Sequence, residues 1–174
     1  LGGGSYGDAN VSPPAGVTLV INGDGTSTTI VGHSPALHVT AGSVVVSNVL
    51  LVTDTDSPTI LVSGGNLVLR NVVVKESSAA GQAAISVIGG RVDLGTTASP
   101  GGNRFDVRGP GLLISNTGPT AIPALGNTFE ADGGTIVGEW GEGNPEGPYE
   151  RLNPAPPPQT AAAMAAGGAS RDEA

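Results

Sequence analysis

At 174 residues the chain has single-domain length, and with no cysteine it can carry neither a disulfide framework nor a thiolate zinc site. Seven Lys and Arg against fifteen Asp and Glu leave a net charge of −8, which lacks the phosphate-neutralising surface of a nucleic-acid binder and is a poor match to acidic membranes. Gly and Pro contribute 29 and 14 residues, yet 38% of the chain is hydrophobic, nearly all of it Val, Ile, Leu and Ala, so the choice is between disorder and many short strands cut by glycine turns.

The opening LGGGSYGDANVSPP contains no amphipathic helix to plug a fold, and Pro13 and Pro14 interrupt strand pairing locally. After VTLVINGDGTSTTIVGHSP, a repeat emerges: LHVTAG from Leu37, ILVSGG from Ile60, ISVIGG from Ile85 and LLISNTG from Leu112, at spacings of 23, 25 and 27 residues. A second series follows these: SNVLLV from Ser47, RNVVVK from Arg70, GNRFDV from Gly102 and GNTFEA from Gly126. The insertion GTTASPGG at residues 95–102 accounts for part of the drift.

Stacked, the first series gives one apolar column of Leu37, Ile60, Ile85 and Leu112 and another of Val39, Val62, Val87 and Ile114. The second series gives Val46 and Leu69, then Asn48, Asn71, Asn103 and Asn127, then Leu50, Val73, Phe105 and Phe129, all expected inside. Gly64, Gly65, Gly89 and Gly90 recur after strands, where a turn needs positive φ or close backbone approach. Residues in register once per coil predict a parallel β-solenoid rather than a hairpin sandwich, since a sandwich supplies no reason for columns.

The runs VTLVINGDGTSTTIVGHSPALHV, NLVLRNVVVKES and VDLGTTASPGGNRF followed by ALGNTF resemble the right-handed parallel β-helix repeats of bacterial surface and secreted proteins, the pectin-lyase-like fold. GSYGDANV looks like the opening coil of such repeats, with the chain beginning almost on its Gly-x-Tyr turn, so a trimmed first coil is expected. The resemblance covers residues 4–133 and implies an all-β, single-stranded parallel β-helix of about five coils. It is specific for fold and weak for function, because this architecture carries lyases, hydrolases, tailspikes and adhesins alike.

The expected organisation is therefore a β-helix over residues 1–132, an acidic Gly/Pro-rich strap over 133–153 and a Pro/Ala-rich tail over 154–174. Residues 1–132 carry five basic and nine acidic groups and residues 133–174 two and six, so each part totals −4 and the shorter is denser in negative charge. The column alignment places the four asparagines inward as a structural ladder. It also places Val45, Val49, Leu51, Val68, Val72 and Val74 outward, an apolar patch for the chain's own carboxyl-terminal segment, with Trp140 and Tyr149, or for a second copy.

A catalytic constellation is not legible. Asp54 and Asp56 fall in a turn, Asp93 and Asp106 fall at different column positions, and no stacked carboxylates suited to glycoside hydrolysis emerge. Arg70, Lys75, Arg91, Arg104 and Arg108 are the basic residues of the repeat region, with Arg70–Glu76 and Arg104–Asp106 expected as outer ion pairs. His33 and His38 lack metal-ligand spacing, and no cofactor motif occurs. The expected function is a non-catalytic extracellular or cell-surface structural module that stacks end to end, as a homo-oligomer or fibre, without nucleic acid, membrane insertion, metal or cofactor. The alternative is a polysaccharide lyase or glycoside hydrolase of pectin-lyase-like fold.

Overall fold

The computed structural model describes residues 1–78, 80–108 and 113–136. Short strands succeed one another around a coil. The first coil holds β1 (Gly4–Tyr6), β2 (Ala9–Val11) and β3 (Thr18–Asn22), and the second β4 (Thr28–Gly32), β5 (Leu37–Val39) and β6 (Ser43–Ser47). The third holds β7 (Leu50–Thr53), β8 (Ile60–Val62) and β9 (Asn66–Arg70), and the fourth β10 (Val73–Glu76), β11 (Ile85–Val87) and β12 (Arg91–Asp93). The fifth contributes β13 (Arg104–Val107) and β14 (Ile114–Asn116), and a last partial coil β15 (Thr128–Ala131) and β16 (Gly134–Ile136).

As far as β14 every third strand joins the same sheet, and β15 and β16 complete the first, in the orders β1-β4-β7-β10-β13-β15-β16, β2-β5-β8-β11-β14 and β3-β6-β9-β12. All pairings are parallel except β15 with β16. The protein is thus an all-β parallel β-solenoid of about five coils. Each β-branched residue fits a pleated surface with one face dry, and the next coil supplies the backbone partners that a three-residue strand cannot find in itself.

The core is a set of columns. Leu37, Ile60, Ile85 and Ile114 form one, Val44, Leu67 and Val92 a second, Val46 and Leu69 a third, and Ile30, Leu51, Val74, Phe105 and Phe129 a fourth, all buried. The glycine turns follow the expected physics. Gly42, Gly65 and Gly90 repeat at φ of 72, 74 and 78°, whereas a Cβ on Gly64 or Gly89 would come within 2.3 or 2.5 Å of a carbonyl oxygen of the coil before.

Two expectations need correction. In the fifth coil Ile114, not Leu112, pairs with Ile85, which puts Asn116 beside Val87; Leu112 lies outside the described residues. A two-residue slip keeps the same face inward, so alternation alone could not exclude it. Second, Leu50 and Val73 are outward and half-buried, while Val49, Leu51, Val72 and Val74 are buried. The cause is the corner: Asn48 and Asn71 both sit at φ 54°, a left-handed turn that resets which face the next residue takes. At residue 132, the expected boundary between solenoid and strap, the chain turns back. Asp132 and Gly133, at φ 50 and 76°, form a tight turn of the kind hairpins favour, and β16 folds back antiparallel on β15. The rest of the expected strap, the tail, Trp140 and Tyr149 lie outside the described residues.

Candidate functional site

The asparagines separate into two pairs, because Asn48 and Asn71 occupy the left-handed corners while Asn103 and Asn127 come one position later in the register. Asn48 turns its amide outward to Asn22, donating to its Oδ1 at 2.9 Å, and Asn71 is exposed at the equivalent corner. The inward placement expected of these two is therefore corrected. Asn103 is buried: its Oδ1 accepts from the Val72 backbone N–H at 3.0 Å, and its Nδ2 faces the carbonyls of Leu69 and Leu94 and Oδ1 of Asn127. Asn127 in turn donates to Ala124 O at 2.7 Å. This two-rung ladder satisfies backbone groups at the corner where the long insertion leaves the coil.

Of the six residues expected outside, only Val45 and Val68 stand there, in a column between Val20 of the first coil and Asp93 of the fourth. The adjoining outer face of the first sheet carries Val31, Leu50, Val52 and Val73 instead, half-buried. Beyond Val52 this outer row becomes charged, with Lys75, Asp106 and Glu130 in successive coils. Arg104 lies 2.5 Å from Glu130 and 3.9 Å from Asp106, and Lys75 3.8 Å from Asp106. The Arg104 hydrogen bond holds the Glu130 carboxyl below the usual carboxylate range. Arg108, Asp132 and Gly133 join Lys75 and Asp106 around a groove of about 450 Å³.

Asp106 and Glu130 are neighbours on adjacent coils, and the Arg104 guanidinium lies between them. Asp54 Oδ1 lies 3.1 Å from His33 Nδ1 on an exposed turn and accepts from it when Nδ1 carries the proton, and Asp56 accepts from Gln82 at 2.6 Å. Asp93 pairs with Arg70 at 2.9 Å, which corrects the expected Arg70–Glu76 pair: Arg70 points outward and Glu76 is wholly buried. His38 Nε2 meets Ser63 Oγ at 2.9 Å on the outer face of the sheet containing β5 and β8. Arg91 is exposed at the start of β12. Among the described residues no group of three or more His, Asp or Glu could hold a metal ion, and no helix is long and apolar enough to cross a membrane.

The remaining feature is the amino-terminal face. Strands β1, β2 and β3 are the terminal strands of the three sheets, each paired on one side only. Their inward residues continue the core columns: Tyr6 over Ile30, Val11 over Val39, Leu19 over Val44 and Ile21 over Val46. Tyr6 and Leu19 are 37% and 36% exposed. The opposite edge of the first sheet is covered by β16.

Fold and site together define a parallel β-solenoid whose most developed surfaces are its amino-terminal coil face and an aliphatic outer flank. The chain matches no family model, no curated protein and no solved structure.

Proposed function

We propose that this chain is a non-catalytic structural module of an extracellular or cell-surface protein, of the bacterial right-handed parallel β-helix type, that associates end to end through its amino-terminal coil face. The observation that supports this most is that face itself: three strands of one coil, each paired on one side, around Tyr6 and Leu19, which stay partly exposed. Such an edge is a template for another strand, and a register already set by the coil below makes addition of a further coil geometrically simple. The carboxylates support the same reading, since those brought together are tied to Arg104 or Arg70 as surface pairs.

Light scattering and electron microscopy of the purified chain test it. Concentration-dependent association, weakened by Leu19→Lys with an unchanged circular dichroism spectrum, is the expected result. A monomeric mass at high concentration overturns the end-to-end part. Cleavage of any member of a panel of acidic polysaccharides overturns the non-catalytic part and favours the lyase or hydrolase alternative, which rests on fold analogy alone.

A further inference from the structure

Glu76 is the one wholly buried acidic side chain among the described residues. It closes β10 on an inward column of Gly32, Thr53, Glu76, Val107 and Ala131, between Thr53 of β7 and Val107 of β13. Its Oε1 accepts from the Ser78 backbone N–H at 2.8 Å and from Ser78 Oγ at 2.5 Å. Its Oε2 is buried and has no partner. Thr53, the nearest polar neighbour across the column, gives its hydroxyl to Gly32 O instead.

The charges around this group offer no compensation. Lys75 alternates to the outer face, where it meets Asp106 and lines the groove with Arg108 and Asp132. On the turn after β7, Asp56 adds a like charge that opposes ionisation. Burial is the largest influence and pushes the Glu76 carboxyl above the usual range; the Ser78 hydrogen bonds pull it down, and Asp56 adds to the rise. An ionised Glu76 would leave anionic charge on an oxygen with neither donor nor cation, whereas a carboxylic acid places only a hydroxyl there.

We propose that the folded solenoid holds Glu76 as a neutral carboxylic acid with its proton on Oε2, and that loss of this proton loosens the stacked strands β7, β10 and β13, a pH-sensitive latch at the middle of the longest sheet. The folded protein keeps this proton to higher pH than the unfolded chain does, so folding takes one proton up. The resulting stability is fully present below the unfolded group's pKa and is lost as pH rises through the folded one. In that window the folding constant falls about tenfold per pH unit through this group alone.

The test compares urea unfolding of the full chain and of Glu76→Gln across pH, with infrared spectroscopy and amide hydrogen exchange on the wild type. The expected result is a pH-dependence in the wild type that exceeds that of Glu76→Gln by the one-proton slope. A protonated-carboxyl infrared band that persists in the folded protein to higher pH than in the urea-unfolded chain, and loss of exchange protection in β7, β10 and β13 before β6 as pH rises, complete the expectation. Superimposable pH profiles of the two proteins overturn the proposal. Should the variant not fold, a protonated-carboxyl band that disappears at the same pH in the folded and the unfolded wild type overturns it independently.

Discussion

Phe105 and Phe129 stack in the core with ring centroids 5.1 Å apart and planes inclined by 14°. They are the last steps of the column that runs from Tyr6 and Ile30, and the spacing is that of adjacent parallel strands. Beside them, among the described residues, the fifth coil has no third strand and keeps only the Gly95–Ala124 bridge.

Truncating the inner ring should cost more than truncating the outer one. Phe105→Ala removes a side chain packed from both neighbouring coils and is expected to destabilise by about 3 to 5 kcal/mol. Phe129→Ala, in the last parallel strand, should cost less because neighbouring groups there can relax into the space. Urea titrations of both variants check the order.

The two kinds of asparagine should respond to different substitutions. Asn103→Leu leaves the Val72 N–H and the Leu94 carbonyl without partners and should cost about 1 to 3 kcal/mol. Asn71→Leu should cost about 1 to 2 kcal/mol for a different reason, the left-handed backbone at φ 54°. Glycine separates them: Asn71→Gly should be close to neutral and Asn103→Gly should not, as thermal melts would show.

Gly101 has no room for any side chain. A Cβ there would sit 1.8 Å from Leu94 O and 2.2 Å from Asn127 Oδ1, inside the ladder itself. Gly101→Ala must displace backbone and is expected to be among the most damaging single methyl additions, above about 3 kcal/mol. Gly2→Ala, which meets nothing within 4 Å, is the control for the same measurement.

The outer pair Arg104–Glu130 gives a pH response opposite in sign to that of Glu76. The folded Glu130 carboxyl is shifted down, chiefly by the hydrogen bond from Arg104, so its stabilising effect is present above the unfolded group's pKa and is lost as pH falls through the folded one. Arg104 is nearly half exposed, which screens the pair and limits the effect to less than about 1 kcal/mol. Glu130→Gln should therefore flatten the acid limb of the stability profile slightly and leave the alkaline limb unchanged in urea titrations at stepped pH.

Much of the fold was legible because a solenoid writes its period into the chain. The columns through Leu37, Ile60 and Ile85 and through Val46 and Leu69 are apolar in the sequence and stacked in the structure, and the glycines after β5, β8 and β11 fall where the turns need them. Glu130 and Glu76 were less visible as sites. Glu130 gains its meaning from Arg104, 26 residues earlier, which a coil brings alongside. Glu76 follows from alternation, Val72 and Val74 inward and then Glu76, once Asn71 is recognised as a corner.

By itself the sequence determined that the chain forms short strands stacked in parallel coils, since recurring apolar residues and turn glycines can be satisfied together in that arrangement. Tertiary structure decided which residues of the second series face the core. In SVVVSNVLLVT and LVLRNVVVKES both parities are aliphatic, so the period-two pattern carries no orientation across the asparagine. The left-handed corner breaks the tie by turning Val49, Leu51, Val72 and Val74 inward and Leu50 and Val73 outward. It thereby sends a carboxyl group into the core and leaves a different set of aliphatics to face outward.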